Sequence, residues 1–242
     1  MKTIAIVNTF NRPQHHALQV QAIKDQTLPP DEIYCVCNKP TMNVVDFEKQ
    51  AGVEYADLSW NSKFHTRFFI ALGIACDYVA VFDCDTIPGS EWLQNCWDHR
   101  DLGILGGAGV RVLGPQYHPN KIYGWCGVKS DVPERVDLVG HAWFMSKDHL
   151  RVLATEEPMT YDNGEDIQLG FLAEKNGIRH WVPPHTKDNQ RRWACLPQYG
   201  KLGTTGAATW RRNKRRGETH HQVRDKLVAK YRERGWVMAK DE

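Results

Sequence analysis

Two carboxylates two residues apart, in Asp83-Cys84-Asp85, are the side chains of this sequence best suited by type and spacing to do chemistry. They follow Val79-Ala80-Val81-Phe82, an apolar run too short for a helix and without alternation, which predicts a strand buried on both faces. Pro88 and Gly89 close the turn behind them. Left unpaired, two acidic groups at a strand end repel each other. A divalent ion with oxygen ligands, itself bound to phosphates, relieves that repulsion. A solvated turn is the alternative, because Asp is common in turns.

A second acidic pair, Glu165-Asp166, opens a predicted helix that continues with Ile167, Leu169, Phe171 and Leu172 and is capped by Asn163 or Asp162. Acidic groups in a first helical turn favour the helix dipole, which accounts for them without any function. Lys63 and Arg67 lie one turn apart on a predicted helix over residues 63–75, whose apolar stripe is Phe64, Phe68, Ala71, Leu72 and Ala75. They share a face, either solvated or turned to a ligand.

The elements that must position these groups read in order as strand, helix, strand. Residues 2–9 form a first buried strand, Asn11-Arg12-Pro13 turns into a helix ending near Gln26, and residues 32–37 form a second strand. That spacing is a βαβ unit with parallel strands, and such sheets bind ligands at the carboxyl ends of their strands. Thr9, Asn11, Arg12 and Asn38 fall there. Further strands are predicted at residues 53–58, 103–113, 136–145 and 178–182, with helices at residues 90–100 and 146–153. Gly140, His141 and Trp143 lie on the strand at 136–145, and His185 follows the strand at 178–182.

Four stretches, in order, resemble glycosyltransferases of the GT-A fold, and among them the family-2-like inverting members. Ile4 to Pro13 is similar to their opening strand and Thr-x-Asn-Arg turn. Asn61 to Asp77 resembles the segment in which an Asn and basic residues precede the metal strand. Asp83-Cys84-Asp85 looks like their metal motif, and Gly164-Glu165-Asp166 like their late acidic motif. The resemblance covers about residues 1–186. It implies an α/β fold, a Rossmann-like and mostly parallel central sheet flanked by helices, with a basic helical C-terminal tail.

What the resemblance implies for function is transfer of a sugar, with inversion, from a nucleoside-diphosphate sugar, UDP-sugar first, to an acceptor hydroxyl. Thr9, Asn11, Arg12 and Asn38 would face the nucleobase and ribose, with Asn38 standing where many relatives carry an acid. Lys63 and Arg67 would face the donor's base and phosphates, and Asp83 and Gly140 the donor. Mn²⁺ or Mg²⁺ would bind Asp85, with Asp83 and His185. Asp166 would be the general base, with Glu165 next in line. His141 would face the acceptor, and Trp143 could stack on a sugar ring, although Trp143 suits a core position equally.

The whole chain is 242 residues, 41% hydrophobic and 25% charged, ordinary for a globular protein with a sizeable core. Its start lacks a signal peptide's long apolar region, and no apolar stretch approaches a membrane span. Seven cysteines without a Cys-x-x-Cys pair fit a reduced, cytoplasmic chain without zinc. Net charge +2 hides an asymmetry: residues 1–186 carry 16 Lys and Arg against 23 Asp and Glu, whereas residues 187–242 carry 15 against 6. The expected organisation is therefore a catalytic domain over 1–186 and a basic extension over 187–242, packed on the site or closing over it.

The acceptor is left open at this stage. A saccharide or small glycoconjugate comes first. Hydroxymethylated bases of viral DNA come second, favoured by the basic tail with Trp210 and the run Arg211 to Arg216, and an anionic membrane surface third. A nucleotidyltransferase would usually open with a Gly-rich phosphate loop, absent after Val7. A non-catalytic nucleic-acid-binding module would explain the tail but neither acidic motif.

Overall fold

The computed structural model describes residues 1–10, 12–38, 48–125, 127–204, 208 and 217–240. Among these residues nine strands form one sheet: β1 (Thr3–Thr9), β2 (Glu32–Cys37), β3 (Glu54–Asp57), β4 (Tyr78–Phe82), β5 (Ile104–Val112), β6 (Asn120–Gly124), β7 (Glu134–Val136), β8 (Leu138–Ser146) and β9 (His180–Val182). Their order is β3-β2-β1-β4-β8-β5-β9-β7, with β6 paired to β5. From β3 to β4 all pairs are parallel, as βαβ crossovers require. Beyond β4 the sheet is mixed, because β8 runs antiparallel to both β4 and β5 while β9 is parallel to β5. The helices are α1 (His16–Lys24), α2 (Thr66–Gly73), α3 (Trp92–Asp98), α4 (Lys147–Arg151), α5 (Glu165–Lys175) and α6 (His220–Glu233). The fold is the expected α/β one, a central sheet flanked by helices.

Side-chain alternation along the central strands divides the core. Ile4, Ile6, Val79 and Val81 point to the face covered by α2, α5 and α6, where Phe68, Ile167, Leu169 and Tyr231 pack. Ala5, Val7, Ala80 and Phe82 point to the other face, against Val20 and Ile23 of α1 and Trp92 and Leu93 of α3. Buried on both faces, β1 and β4 show no polar alternation in the sequence.

Three local differences from the sequence reading have physical reasons. The strand expected over residues 136–145 is two strands, β7 and β8, split at Asp137. Its buried carboxylate accepts N–H bonds from Val112 and Ala239, both at 2.6 Å, while its own N–H donates to the Val110 carbonyl at 2.9 Å. Helix α5 is not capped by Asn163 or Asp162: its N-cap is Gly164 at φ +90°. A Cβ at Gly164 would stand 2.3 Å from Cδ1 of Leu227, so glycine there lets α6 close onto the start of α5. Helix α3 begins at Trp92, later than the start expected at residue 90, because the Trp92 N–H donates back to the Gly89 carbonyl at 3.1 Å and Glu91 becomes the N-cap.

Among the described residues no helix is long and apolar enough to cross a membrane.

Candidate active site

The Asp83 turn is built by its neighbours. The Thr86 N–H donates to the Asp83 carbonyl at 3.0 Å, and the Asp83 N–H donates to the His141 carbonyl at 2.8 Å, which ties the end of β4 to β8. Gln19 of α1 donates its amide to the carbonyls of Asp83 (2.6 Å) and Thr86 (2.8 Å). These bonds hold the backbone so that Asp83, Asp85 and His141 offer ligand atoms within 4.8 Å of one another. His141 adopts φ +67°, unusual for a residue with a side chain, and its Nδ1 is 3.6 Å from Asp83 Oδ2. That nitrogen is buried and has no hydrogen-bond partner. Burial lowers the His141 pKa although Asp83 and Asp85 oppose the shift, so the ring is held neutral, the form that binds a metal.

Three buried arginines tie the acidic groups together. Arg12 donates to Asp85 Oδ2 at 2.6 Å and to the Gly203 carbonyl at 3.3 Å. Arg67 pairs with Asp83 and, through Nη2, with Glu165 Oε1 at 2.9 Å, linking the two acidic motifs. Its guanidinium lies 4.6 Å from the ring centre of Trp143. Burial works against the Arg67 charge, yet Asp83 and Glu165 outweigh it and raise its pKa. Arg224 of α6 holds both oxygens of Asp166, at 3.0 and 2.6 Å. Burial and the neighbouring Asp166 charge push Glu165 up to about 7, whereas Arg224 overcomes the burial of Asp166 and brings it below the usual aspartate range.

A cavity of about 530 Å³ opens over these groups. Asn8 and Phe10 line it from the end of β1, Asn38 from the end of β2, and Asn61, Lys63 and Phe64 from the approach to α2. Trp125, Gly140, Tyr117, His220, His221 and Arg224 complete much of the rest. A Cβ at Gly140 would meet nothing within 4 Å, so the space above it belongs to the cavity. Asn38 is fixed by accepting from the Ser62 N–H and hydroxyl, at 2.9 and 2.5 Å. Lys63 sits at φ +62° ahead of α2 and pairs with Asp162 at 3.2 Å across the cavity wall.

The structure gathers Arg12, Asn38, Lys63, Arg67, Asp83, Asp85, Gly140, His141, Glu165 and Asp166 around this one cavity. Three sequence expectations fail. Thr9 is buried, its hydroxyl unpartnered, and it does not line the cavity; strand alternation gives that position to Asn8 and Phe10. Trp143 touches the cavity wall but takes the core alternative and is no free stacking platform: it is 2% exposed, registers opposite Val81 and packs edge-on against Phe68 at 5.3 Å, under Arg67. His185 is not with the other ligands. Its Nδ1 bonds the Pro183 carbonyl at 2.9 Å, its Nε2 accepts from Ala194 N–H at 3.4 Å, and Trp92 and Trp193 enclose it. The group that could hold an ion is completed instead by His141, which the sequence reading turned toward the acceptor. Asn11, Trp210 and the basic run Arg211 to Arg216 lie outside the described residues.

Sequence reasoning missed Asn8, Trp125 and Arg224. Only Arg224 carried a signal, as a charged residue at helical spacing with apolar Leu227, Val228 and Tyr231.

Buried neutral histidines set an acid limit on the fold. Burial lowers His16, His185 and His220 to about 4 and His180 to about 3. Each folded-state pKa lies below the unfolded value near 6.5, so the unfolded chain binds the extra protons and stability is lost as pH falls from about 6.5 to about 4. Glu165, raised to about 7, works in the opposite sense over its own range. The histidines outnumber it, so the melting temperature is expected to fall across that window in scanning calorimetry.

No protein-family model matches this chain, and no curated protein sequence does. Solved structures do. S. aureus TarS 1–349 aligns with a TM-score of 0.54 at 18% identity, over 77% of this chain and 59% of that one. A second S. aureus TarS structure gives 0.54 at 17% identity over 77% of this chain and 36% of its own. TarS 1–349 in complex with UDP gives 0.52 at 17%, with the same coverage as the first. The chain thus spans less than two thirds of these proteins. The likeness establishes the fold alone: the chain has the GT-A fold.

Proposed function

We propose that this protein is a metal-dependent, inverting glycosyltransferase that moves a sugar from a nucleoside-diphosphate sugar to a hydroxyl of a saccharide or glycoconjugate. The observation that carries the reading is the convergence of Asp83, Asp85 and His141 with Glu165 and Asp166 on one cavity of a GT-A fold. UDP bound to a protein of that fold supports a nucleotide donor.

The residues fit a divalent ion. Two carboxylates and a neutral imidazole with an unpartnered buried nitrogen make an oxygen-rich donor set suited to Mn²⁺ or Mg²⁺. When bound, such an ion supplies Lewis-acid stabilisation of the departing diphosphate. Arg12 and Lys63 add positive charge to the same wall, and Asn8, Asn38 and Asn61 offer amides to a base and ribose. Asp166, ionised, takes the proton of the acceptor hydroxyl. The acceptor oxygen forms its bond to C1 as the C1–O(phosphate) bond breaks, and the electron pair leaves with the nucleoside diphosphate. A single displacement of this kind inverts C1. Tyr117 and Trp125 give the cavity aromatic surface for an acceptor sugar.

Calorimetric titration of UDP into the protein, with and without Mn²⁺, tests the reading. Binding is expected, tighter with the metal. Absence of UDP binding in both conditions would overturn it.

A further inference from the structure

Helix α6 belongs to the basic C-terminal segment, which no comparison assigns to the reaction. Its construction is nevertheless directed at Asp166. Thr219 and Gln222 form a capping box that fixes the start of the helix. Leu227, Val228 and Tyr231 are buried, and Tyr231 stacks on Phe171 of α5 at 4.6 Å. Arg224 lies on the same helical face, at i−3 and i−4 from those anchors and i−7 from Tyr231, so the packing of α6 on α5 aims it at the first turn of α5. Gly164, the N-cap of α5, is the residue whose missing side chain permits that approach.

Arg224 is 6% exposed and ends in a fork on the two oxygens of Asp166. The ring of Tyr117 lies 4.4 Å beneath its guanidinium, and Asn163 Oδ1 accepts from Nη1 at 3.4 Å. Asn163 in turn donates to His220 Nδ1 at 3.0 Å, so α6 grips the entry to α5 at two points.

We propose that Arg224 is a positioning residue of the reaction: from the C-terminal helix it orients the Asp166 carboxylate and keeps it ionised as the base. The role in catalysis rests on the function proposed above; the hold on Asp166 does not. The charged or titratable groups that act on Asp166 or feel it are Glu165 on its own helix, Arg224 and His220 from α6, His65 beside α2, His141 on β8 and His180 on β9. Among them Arg224 makes the direct fork. Without it, burial would favour a protonated Asp166. Arg224 thereby separates two adjacent carboxyls, one ionised and one that holds its proton toward neutrality.

The test is a ¹³C NMR titration of aspartate carboxyls in the full chain, with Asp166 assigned by its absence in D166N. In the unmodified protein Asp166 is expected to titrate below the ordinary midpoint of about 3.9. Arg224→Gln is expected to raise that midpoint by about 1–3 pH units, as loss of an adjacent cation does. In turnover of UDP-sugar the acid limb of kcat follows the same shift, with KM for the donor little changed. A folded R224Q whose Asp166 midpoint does not move overturns the proposal, because a purely structural arginine would change melting alone. If R224Q does not fold, R224K carries the test. It keeps the charge, so Asp166 stays below the ordinary range, and a folded R224K in which Asp166 titrates at or above about 3.9 overturns it. Loss of UDP binding by the unmodified protein would instead defeat the functional reading and leave the titration to stand by itself.

Discussion

Asp166→Asn is expected to lower turnover about 10²–10⁴-fold while leaving UDP affinity unchanged, because an amide keeps the shape of the carboxylate but cannot accept the acceptor's proton. The isosteric change disturbs the fold less than truncation would: the amide oxygen still accepts from Arg224, although its NH2 cannot replace the second carboxylate oxygen that Arg224 holds in the native protein. The pH profile distinguishes Asp166 from its neighbour. Glu165 is raised to about 7, so a reaction run by Glu165 would lose rate as pH falls below neutrality. Asp166 is held below the usual aspartate range, so a reaction run by Asp166 keeps its base ionised well into the acid range. Glu165→Gln should therefore retain far more turnover than D166N. The reverse ranking in a UDP-release assay would transfer the role of base to Glu165.

Asp85→Asn is expected to abolish the metal-dependent part of UDP binding, bringing affinity in Mn²⁺ down to that of the metal-free protein. Asparagine is the informative choice because Asp85 is not free: Arg12 sits on its Oδ2 at 2.6 Å and both side chains are buried. Truncation to Ala would remove the acceptor as well as the charge that Asp85 gives Arg12 in the interior, a loss of up to about 3–5 kcal/mol of stability that would confuse binding with folding. The amide retains an acceptor for Arg12 and removes only the charge a divalent ion needs. A Gly203 Cβ would stand 2.7 Å from Asp85 Oδ2, so the 202–204 turn packs directly on this group and Gly203→Ala would disturb it too. Calorimetry on D85N that still shows the full Mn²⁺ enhancement would remove Asp85 from the metal site.

Much of this was legible in the sequence because its signals are local. A four-residue apolar run ending in Asp83-Cys84-Asp85 can hardly be anything but a buried strand with an acidic end, and β4 is that strand. Glu165 and Asp166 stand in the first turn of a helix, as their spacing implied. What the sequence concealed is pairing across distance. Arg67 reads as half of a basic helical face, yet it is buried between Asp83 and Glu165, 98 residues from the latter. Arg224 reads as one more charge on a polar helix. No periodicity in one element reveals which partner another element brings to it.

Register hid the rest. A strand apolar on both faces does not announce which residue at its end turns into the cavity, so Thr9 reads as well as Asn8 and Phe10, which do the lining. The same parity puts Trp143 opposite Val81 and into the core. Histidine conceals its place for a different reason. His185 follows a strand in a suitable place but finds backbone partners for both ring nitrogens, while His141 owes its place beside Asp83 to a left-handed backbone that sequence does not disclose.

Diffraction from crystals grown with UDP and Mn²⁺, recorded at the manganese absorption edge, tests the central claim most directly. The account predicts one anomalous peak bounded by Asp83, Asp85 and His141, with the UDP diphosphate on it and the uracil toward Asn8 and Asn38. A manganese peak at His185, or UDP bound outside this cavity, would contradict it.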